Sequence, residues 1–240
     1  SIATIHNRGP EKAKIWVMPT VWFRKTWFTG HEPFMPKMTK LTDTSIKAFN
    51  SKSGNYTFSF CGQPDLKFCD NETNRERLYR IPNERKFTKD GINDFVVKGD
   101  ASRLNPANTG TKAAAIYDLE VPAGGKVEVK LRMQHQVEEK PLETCQQTMT
   151  ARKEEADEFF NSIQDRVSDP DLKSIQRQAY AGLMWSKQFY YYDVNRWLEG
   201  YPGRFQPPKQ RKEGRNKQWH HLQNYDIISM PDKWEYPWYA

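Results

Sequence analysis

A change of hydrophobic period near residue 135 constrains this chain more than any other feature. Before it, short β-branched and aromatic runs are separated by turn residues: Ile15 to Met18, Thr20 to Phe23, Tyr56 to Phe60, Phe95 to Lys98, Ala113 to Leu119 and Val127 to Met133. Such runs predict a set of short strands. The clearest unit is Ile116-Tyr-Asp-Leu-Glu-Val121, then Pro122-Ala-Gly-Gly125, then Val127-Glu-Val-Lys-Leu131. Alternation on both sides of a Gly-rich turn predicts a hairpin with one buried face. After the change, Ala156, Phe159, Phe160, Ile163 and Val167 recur at helical spacing in a charged sequence. They predict an amphipathic helix over about Leu142 to Arg166, packed on the β-rich part or bridging onward. Asp169-Pro170 then supplies a cap and a first-turn proline for a second helix, with Leu172, Ile175, Ala179, Leu183, Ser186 and Tyr190 on one face. This helix is expected to carry Trp185 to Tyr192 at its C-terminal end, followed by a long Pro/Gly/basic loop from Gly200 to Gly214.

Composition narrows the classes. With 37% hydrophobic residues, 13% aromatics and a mean hydropathy of −0.91, the chain is polar and keeps its apolar content in large rings. No run approaches the roughly 18 apolar residues of a membrane span. Three cysteines, Cys61, Cys69 and Cys145, form neither a CxxC pair nor a zinc-ligand spacing, and an odd count argues against a disulfide framework, so a cytoplasmic setting is expected. The net charge of +7 raises the question of nucleic acid, but its dense part is confined to Lys209-Gln-Arg-Lys-Glu-Gly-Arg-Asn-Lys217. That segment reads as a solvated loop, with a phosphate-binding patch as the alternative. No Gly-rich phosphate loop, Walker motif or GxSxG elbow occurs, and no cofactor is expected. His220 and His221 are adjacent, so on regular structure they point apart, and no metal site is expected from them.

Two aromatic segments carry the chemistry. Met184-Trp-Ser-Lys-Gln-Phe-Tyr-Tyr-Tyr192 and Ser229-Met-Pro-Asp-Lys-Trp-Glu-Tyr-Pro-Trp-Tyr-Ala240 combine flat rings with Asp, Glu, Lys and Gln. Sugar pockets need that mixture, because pyranose C–H faces pack on rings while hydroxyls take directed hydrogen bonds. In the first segment Trp185, Lys187 and Gln188 are candidates, and core filling is the competing reading for Phe189 and Tyr190. In the second, Asp232, Lys233, Trp234, Glu235, Tyr236 and Trp238 lie in a loop stiffened by prolines on both sides. Asp90-Gly-Ile-Asn-Asp94 reads as a hairpin turn whose carboxylates could also reach a ligand. EF-hand spacing is absent there.

Several blocks resemble glycoside hydrolase family 63, in particular its bacterial-type glucosidase and mannosylglycerate hydrolase branches. They are Ile5-His-Asn-Arg-Gly-Pro-Glu11, Pro19-Thr-Val-Trp-Phe-Arg-Lys-Thr-Trp27, Asn71-Glu-Thr-Asn74, Lys89-Asp-Gly-Ile-Asn-Asp-Phe95, Gly110-Thr-Lys-Ala-Ala-Ala115 and the two aromatic segments. The resemblance implies an α+β multidomain protein: an antiparallel β-sandwich over residues 1–134, incomplete at its N-terminus, a linker with an amphipathic helix over 135–168, and the first part of an (α/α)6 catalytic barrel over 169–240. It further implies an inverting α-glycosidase acting on α-glucosides or α-mannosides, including mannosylglycerate or glucosylglycerate. The general acid would follow the Trp234 to Ala240 run and the general base would lie far downstream, so no catalytic carboxylate is expected within this chain and Glu235 is read as a hydrogen-bonding or structural residue. A β-domain loop bordering the cleft would bring Asn74, Lys89, Asp90 and Asn93 to the substrate. The expected partner is a carbohydrate, with neither nucleic acid nor membrane. The competing reading is a non-catalytic carbohydrate-binding or scaffold module; RNA binding through Lys209 to Lys217 ranks third.

Overall fold

The computed structural model describes residues 1–25, 27, 34–135, 140–200, 206–229 and 237–238. Two compact units result, Ser1–Ala151 and Arg152–Ala240.

The first unit opens with β1 (Ile2–His6), β2 (Ala13–Val17), β3 (Thr20–Trp22), β4 (Lys37–Thr42), β5 (Ser45–Asn50), β6 (Gly54–Phe60) and β7 (Asp65–Cys69). Two short helices follow, α1 (Arg75–Tyr79) and α2 (Gly91–Lys98), and then β8 (Thr109–Gly110), β9 (Lys112–Val121) and β10 (Lys126–Gln134). A six-stranded sheet runs β1-β10-β6-β5-β4-β8, and a four-stranded one is built on β9, which pairs with β2, β3 and β7. Every pairing is antiparallel.

Side-chain alternation along β9 explains the layering. Ala113, Ala115 and Tyr117 enter a core shared with Met38, Ile46, Ala48, Phe60, Leu66, Phe68 and Val129 from both sheets. Ala114 and Ile116 point the other way, into a second cluster with Cys69, Ile92 and Leu104, flanked by Phe95 and Val96 of α2. A strand buried on both faces loses polar alternation, as Ala113 to Tyr117 does.

Two local expectations are corrected here. β9 and β10 are consecutive but belong to different sheets, so Pro122 to Gly125 is a crossover between layers and not a hairpin turn. Phe95 to Lys98 is helical, not a strand, because Ile92, Phe95 and Val96 at i, i+3 and i+4 all pack on one cluster.

The second unit takes in the later part of α3 (Cys145–Ile163) and all of α4 (Pro170–Trp185). Asp169 caps α4 by accepting from the Asp171 N–H, with Pro170 in the first turn. Arg177 joins the two helices, paired to Asp157 and lying 4.6 Å over the Phe160 ring. On the anticipated apolar face of α4, Leu172, Ile175 and Leu183 are exposed.

Then comes the main departure. The helix stops at Trp185, and Lys187–Asp193 forms β11, followed by α5 (Val194–Glu199), a 3-10 helix at Lys209–Glu213, β12 (Gln223–Ser229) and β13 (Pro237–Trp238). The order β11-β12-β13 makes a third sheet. The anticipated β-sandwich followed by the start of an (α/α)6 barrel is therefore corrected: the described residues are mostly β, with three sheets and few helices. Consecutive aromatics at Phe189 to Tyr192 favour a pleated strand over another helical turn once a partner strand is present.

Gly110 tests the packing at β9. A Cβ there would sit 2.2 Å from the Cys69 carbonyl oxygen. Gly110→Ala is expected to destabilise the chain by about 1–3 kcal/mol through overpacking, and Phe68→Ala by about 3–5 kcal/mol through a cavity, both read from urea unfolding midpoints. A parent-like midpoint for either would refute this packing.

Candidate functional site

The end of α4 and the β11–β12 ladder form a pocket in the second unit. Ser186 closes the helix, its N–H donating to the Gly182 carbonyl and its hydroxyl to that of Leu183 at 2.8 Å. Lys187 then enters the ladder opposite Ile228, and Gln188 opposite Ile227. A register shift between Phe189 and Tyr192 re-phases the strand, so that Tyr192 faces Asn224 and Asp193 faces Gln223. Asp193 is buried, and its carboxylate accepts from the Arg196 N–H to start α5.

The resulting cavity of about 510 Å³ has an aliphatic wall of Leu183, Met184, Ile227 and Ile228 facing Lys187, Asn224 and Asp226. Lys187 Nζ lies 3.2 Å from Asp226 Oδ2. This pair is partly exposed, and such pairs contribute about 0–1 kcal/mol, so it places charge more than it stabilises. The Asn224 Nδ2 donor is buried and has no hydrogen-bond partner among the described residues. Leaving such a donor unpaired costs about 1–3 kcal/mol, a cost that an acceptor entering the pocket offsets.

Of the anticipated residues, Lys187 lines the pocket. Trp185 ends α4 and is 87% exposed, away from the lining, and Gln188 is exposed on the next strand position. Asp232, Lys233, Trp234, Glu235 and Tyr236 lie outside the described residues. For Trp238 the backbone alone is described, paired with Ile228. Asn224 and Asp226 escaped the sequence analysis. Their signal was present, since Asn224, Asp226 and Ile228 alternate with Tyr225 and Ile227 along Gln223 to Ser229.

In the first unit the Asp90 segment starts helix α2 instead of a hairpin turn. Gly91 is required there because a Cβ would sit 2.6 Å from the Arg103 carbonyl oxygen. Asn74 is buried: its Nδ2 donates to Asp90 Oδ2 at 2.8 Å, and its Oδ1 accepts from the Arg77 N–H at 3.1 Å, capping α1. Asp90 also accepts from the Thr88 hydroxyl at 2.6 Å and from Arg77 at 3.1 Å. Arg77 reaches on to the buried Asp94 at 3.2 Å. Burial opposes ionisation of Asp90, but the hydrogen bonds from Thr88, Asn74 and Arg77 outweigh it and hold the carboxyl below the usual carboxylate range. Asn74 and Asp90 thus use their polar atoms to fix the loop. Lys89 and Asn93 are exposed beside them.

The basic segment is partly neutralised within its own unit. Lys212 pairs with Glu199 at 3.2 Å, Lys217 with Glu213 at 3.0 Å, and Arg211 lies 3.9 Å over the Trp197 ring. His220 Nδ1 is 2.6 Å from Asn195 Oδ1. Among the described residues no three His, Cys, Asp or Glu side chains converge as a metal site. Burial pushes the Cys69 thiol up to about 12, which keeps it protonated and unreactive.

No family model matches the chain. It is similar to the uncharacterized protein YMR196W of Saccharomyces cerevisiae, 31% identical over 277 aligned positions that take in 99% of this chain and 25% of the relative. The chain therefore spans about a quarter of that relative's length.

The Asp90 network has a pH signature. A carboxyl with a lowered native pKa adds stability above its unfolded value, about 3.9, and loses it as the pH falls through the native value. Asp90→Asn is expected to be less stable than the parent at neutral pH, with the gap closing on acidification below about pH 4, as read from urea unfolding. A gap independent of pH would show that the carboxylate charge has no part in fixing the loop.

Proposed function

We propose that this chain is the substrate-holding part of a larger inverting α-glycosidase of the family 63 type, acting on α-glucosides or α-mannosides such as mannosylglycerate or glucosylglycerate. The observation that carries the reading is the pocket of the second unit, where an aliphatic wall faces a cation, a carboxylate and an unpartnered amide donor. A pyranose offers both surfaces, C–H faces for the wall and hydroxyls for the polar trio. The sequence blocks that resemble the family support the same substrate class.

Inversion needs an acid and a base about 6.5–9.5 Å apart with a water between them. One carboxylate, that of Asp226, is among the described pocket residues. The catalytic pair is accordingly assigned to residues outside these 240, as is consistent with a relative four times as long. Three free cysteines support a cytoplasmic placement. None of the described helices is long and apolar enough to cross a membrane. The lone pocket carboxylate also favours a second reading, a module that holds sugar without cleaving it.

Activity separates the two. The 240-residue chain and the longer protein containing it are assayed on aryl α-glucosides, aryl α-mannosides and mannosylglycerate. The chain is expected to show no turnover and the longer protein to hydrolyse at least one substrate, with Lys187→Met raising KM about tenfold there. Turnover by the chain above a heat-killed control would place the acid and base within it. Inactivity of both on every substrate would leave the non-catalytic module.

A further inference from the structure

The outer face of the six-stranded sheet carries hydroxyls where exposed strands usually carry charge. Along β5 and β6, Ile46, Ala48 and Phe60 point into the core, so Ser45, Thr57 and Ser59 point away from it. That face should be solvated, yet Ser45 is 8% exposed and Thr57 and Ser59 are each 5% exposed. The turn at 140–143 covers them and leaves a cavity of about 440 Å³. Arg132 of β10 holds the turn down, donating to the Pro141 carbonyl at 2.7 Å.

Hydroxyls dominate the polar lining of this cavity. The Ser45 and Thr42 hydroxyls share a hydrogen bond at 2.7 Å. The Thr57 and Ser59 hydroxyls also line the cavity. Beside Thr57 in the ladder, the Gln134 amide is buried with neither its nitrogen nor its oxygen paired among the described residues. Valine or alanine at these positions would present no hydrogen-bonding group, whereas the hydroxyls of Thr42, Ser45, Thr57 and Ser59 offer donors and acceptors to a molecule that enters the cavity.

Charge identifies the class of that partner. Among the described residues the rim carries one cation and one anion, Lys140 and Glu143, which pair with each other at 2.9 Å. A self-neutralised rim over hydroxyls, each both donor and acceptor, gives an anion or a cation no advantage. It suits a ligand whose own groups are neutral and both donate and accept. We infer that the cavity between β5, β6 and the 140–143 turn binds a small neutral polyol or sugar. The site is separate from the second-unit pocket and holds whether or not the longer protein is a glycosidase.

The test uses the whole 240-residue chain and backbone amide NMR, with glycerol, glucose and mannose as neutral probes and glucuronate as the charged one. Neutral probes are expected to shift the amides of β5, β6 and the 140–143 turn saturably, and glucuronate to do so at least about tenfold more weakly. Thr57→Val and Ser59→Ala should each weaken the neutral probes about tenfold, the worth of one hydrogen bond. Because both substitutions leave the β5–β6 ladder intact, both variants should melt at or above the parent temperature. The inference is overturned if no probe shifts those amides, if the shifts survive both substitutions, or if both variants melt well below the parent, which would make the hydroxyls structural.

Discussion

Strand β9 is the constraint on which the first unit depends. Ala113, Ala115 and Tyr117 go into one cluster and Ala114 and Ile116 into the other, while both edges are occupied by β2, β3 and β7. Small side chains at 113–115 let both layers approach the strand closely, which is the condition for dense packing on two faces. The Tyr117 hydroxyl donates to the Cys61 carbonyl at 2.8 Å and so ties β9 to the end of β6. From this strand the loop segment is hung as well: Thr111 accepts the Asn71 N–H at 2.7 Å, and Gly110 lies against Cys69. Helices α1 and α2, and with them the Asn74–Asp90–Arg77 network, take their places from those contacts.

What was legible in the chain follows from how local each signal is. Alternation at Tyr56 to Phe60 and Val127 to Met133 marks strands β6 and β10 because one face of each is buried. Asp169-Pro170 marks the start of α4 because capping is settled within three residues. Partner choice is not local, so β9 and β10 look like one hairpin although each pairs in a different sheet. The same holds for Lys187 to Asp193, whose partner strand begins only at Gln223. Seen alone, Leu183, Ser186 and Tyr190 continue a helical spacing; seen with β12, the aromatic run is a strand. Lys187 stood out as a candidate from its ring-rich context, whereas Asn224 and Asp226, which line the same pocket, depend on that pairing.

The two cavities share a physical logic, although their units are distinct. Each joins an opposite-charge pair to polar side chains: Lys187 and Asp226 to the unpartnered Asn224 amide, Lys140 and Glu143 to the hydroxyls of Ser45, Thr57 and Ser59. Internal pairing of the charges removes the pull on ions, and the amide donor or the hydroxyls add a preference for a hydrogen-bonding guest. Neutral, polyhydroxylated molecules meet both conditions. The Asn74–Asp90 network is the contrast: its carboxylates and amides are bonded to one another, and it holds a loop in place instead of presenting open valences.

The central claim is that Lys187 to Asp193 is a strand whose pairing with Gln223 to Ser229 creates the second-unit pocket. Backbone carbon chemical shifts and nuclear Overhauser contacts across residues 185–193 of the isotopically labelled chain test it most directly. A strand gives upfield Cα shifts from Lys187 onward and cross-strand contacts between Lys187 and Ile228. Downfield Cα shifts with contacts between residues three apart, continuing α4 through Tyr192, would contradict the claim and dissolve the pocket with it.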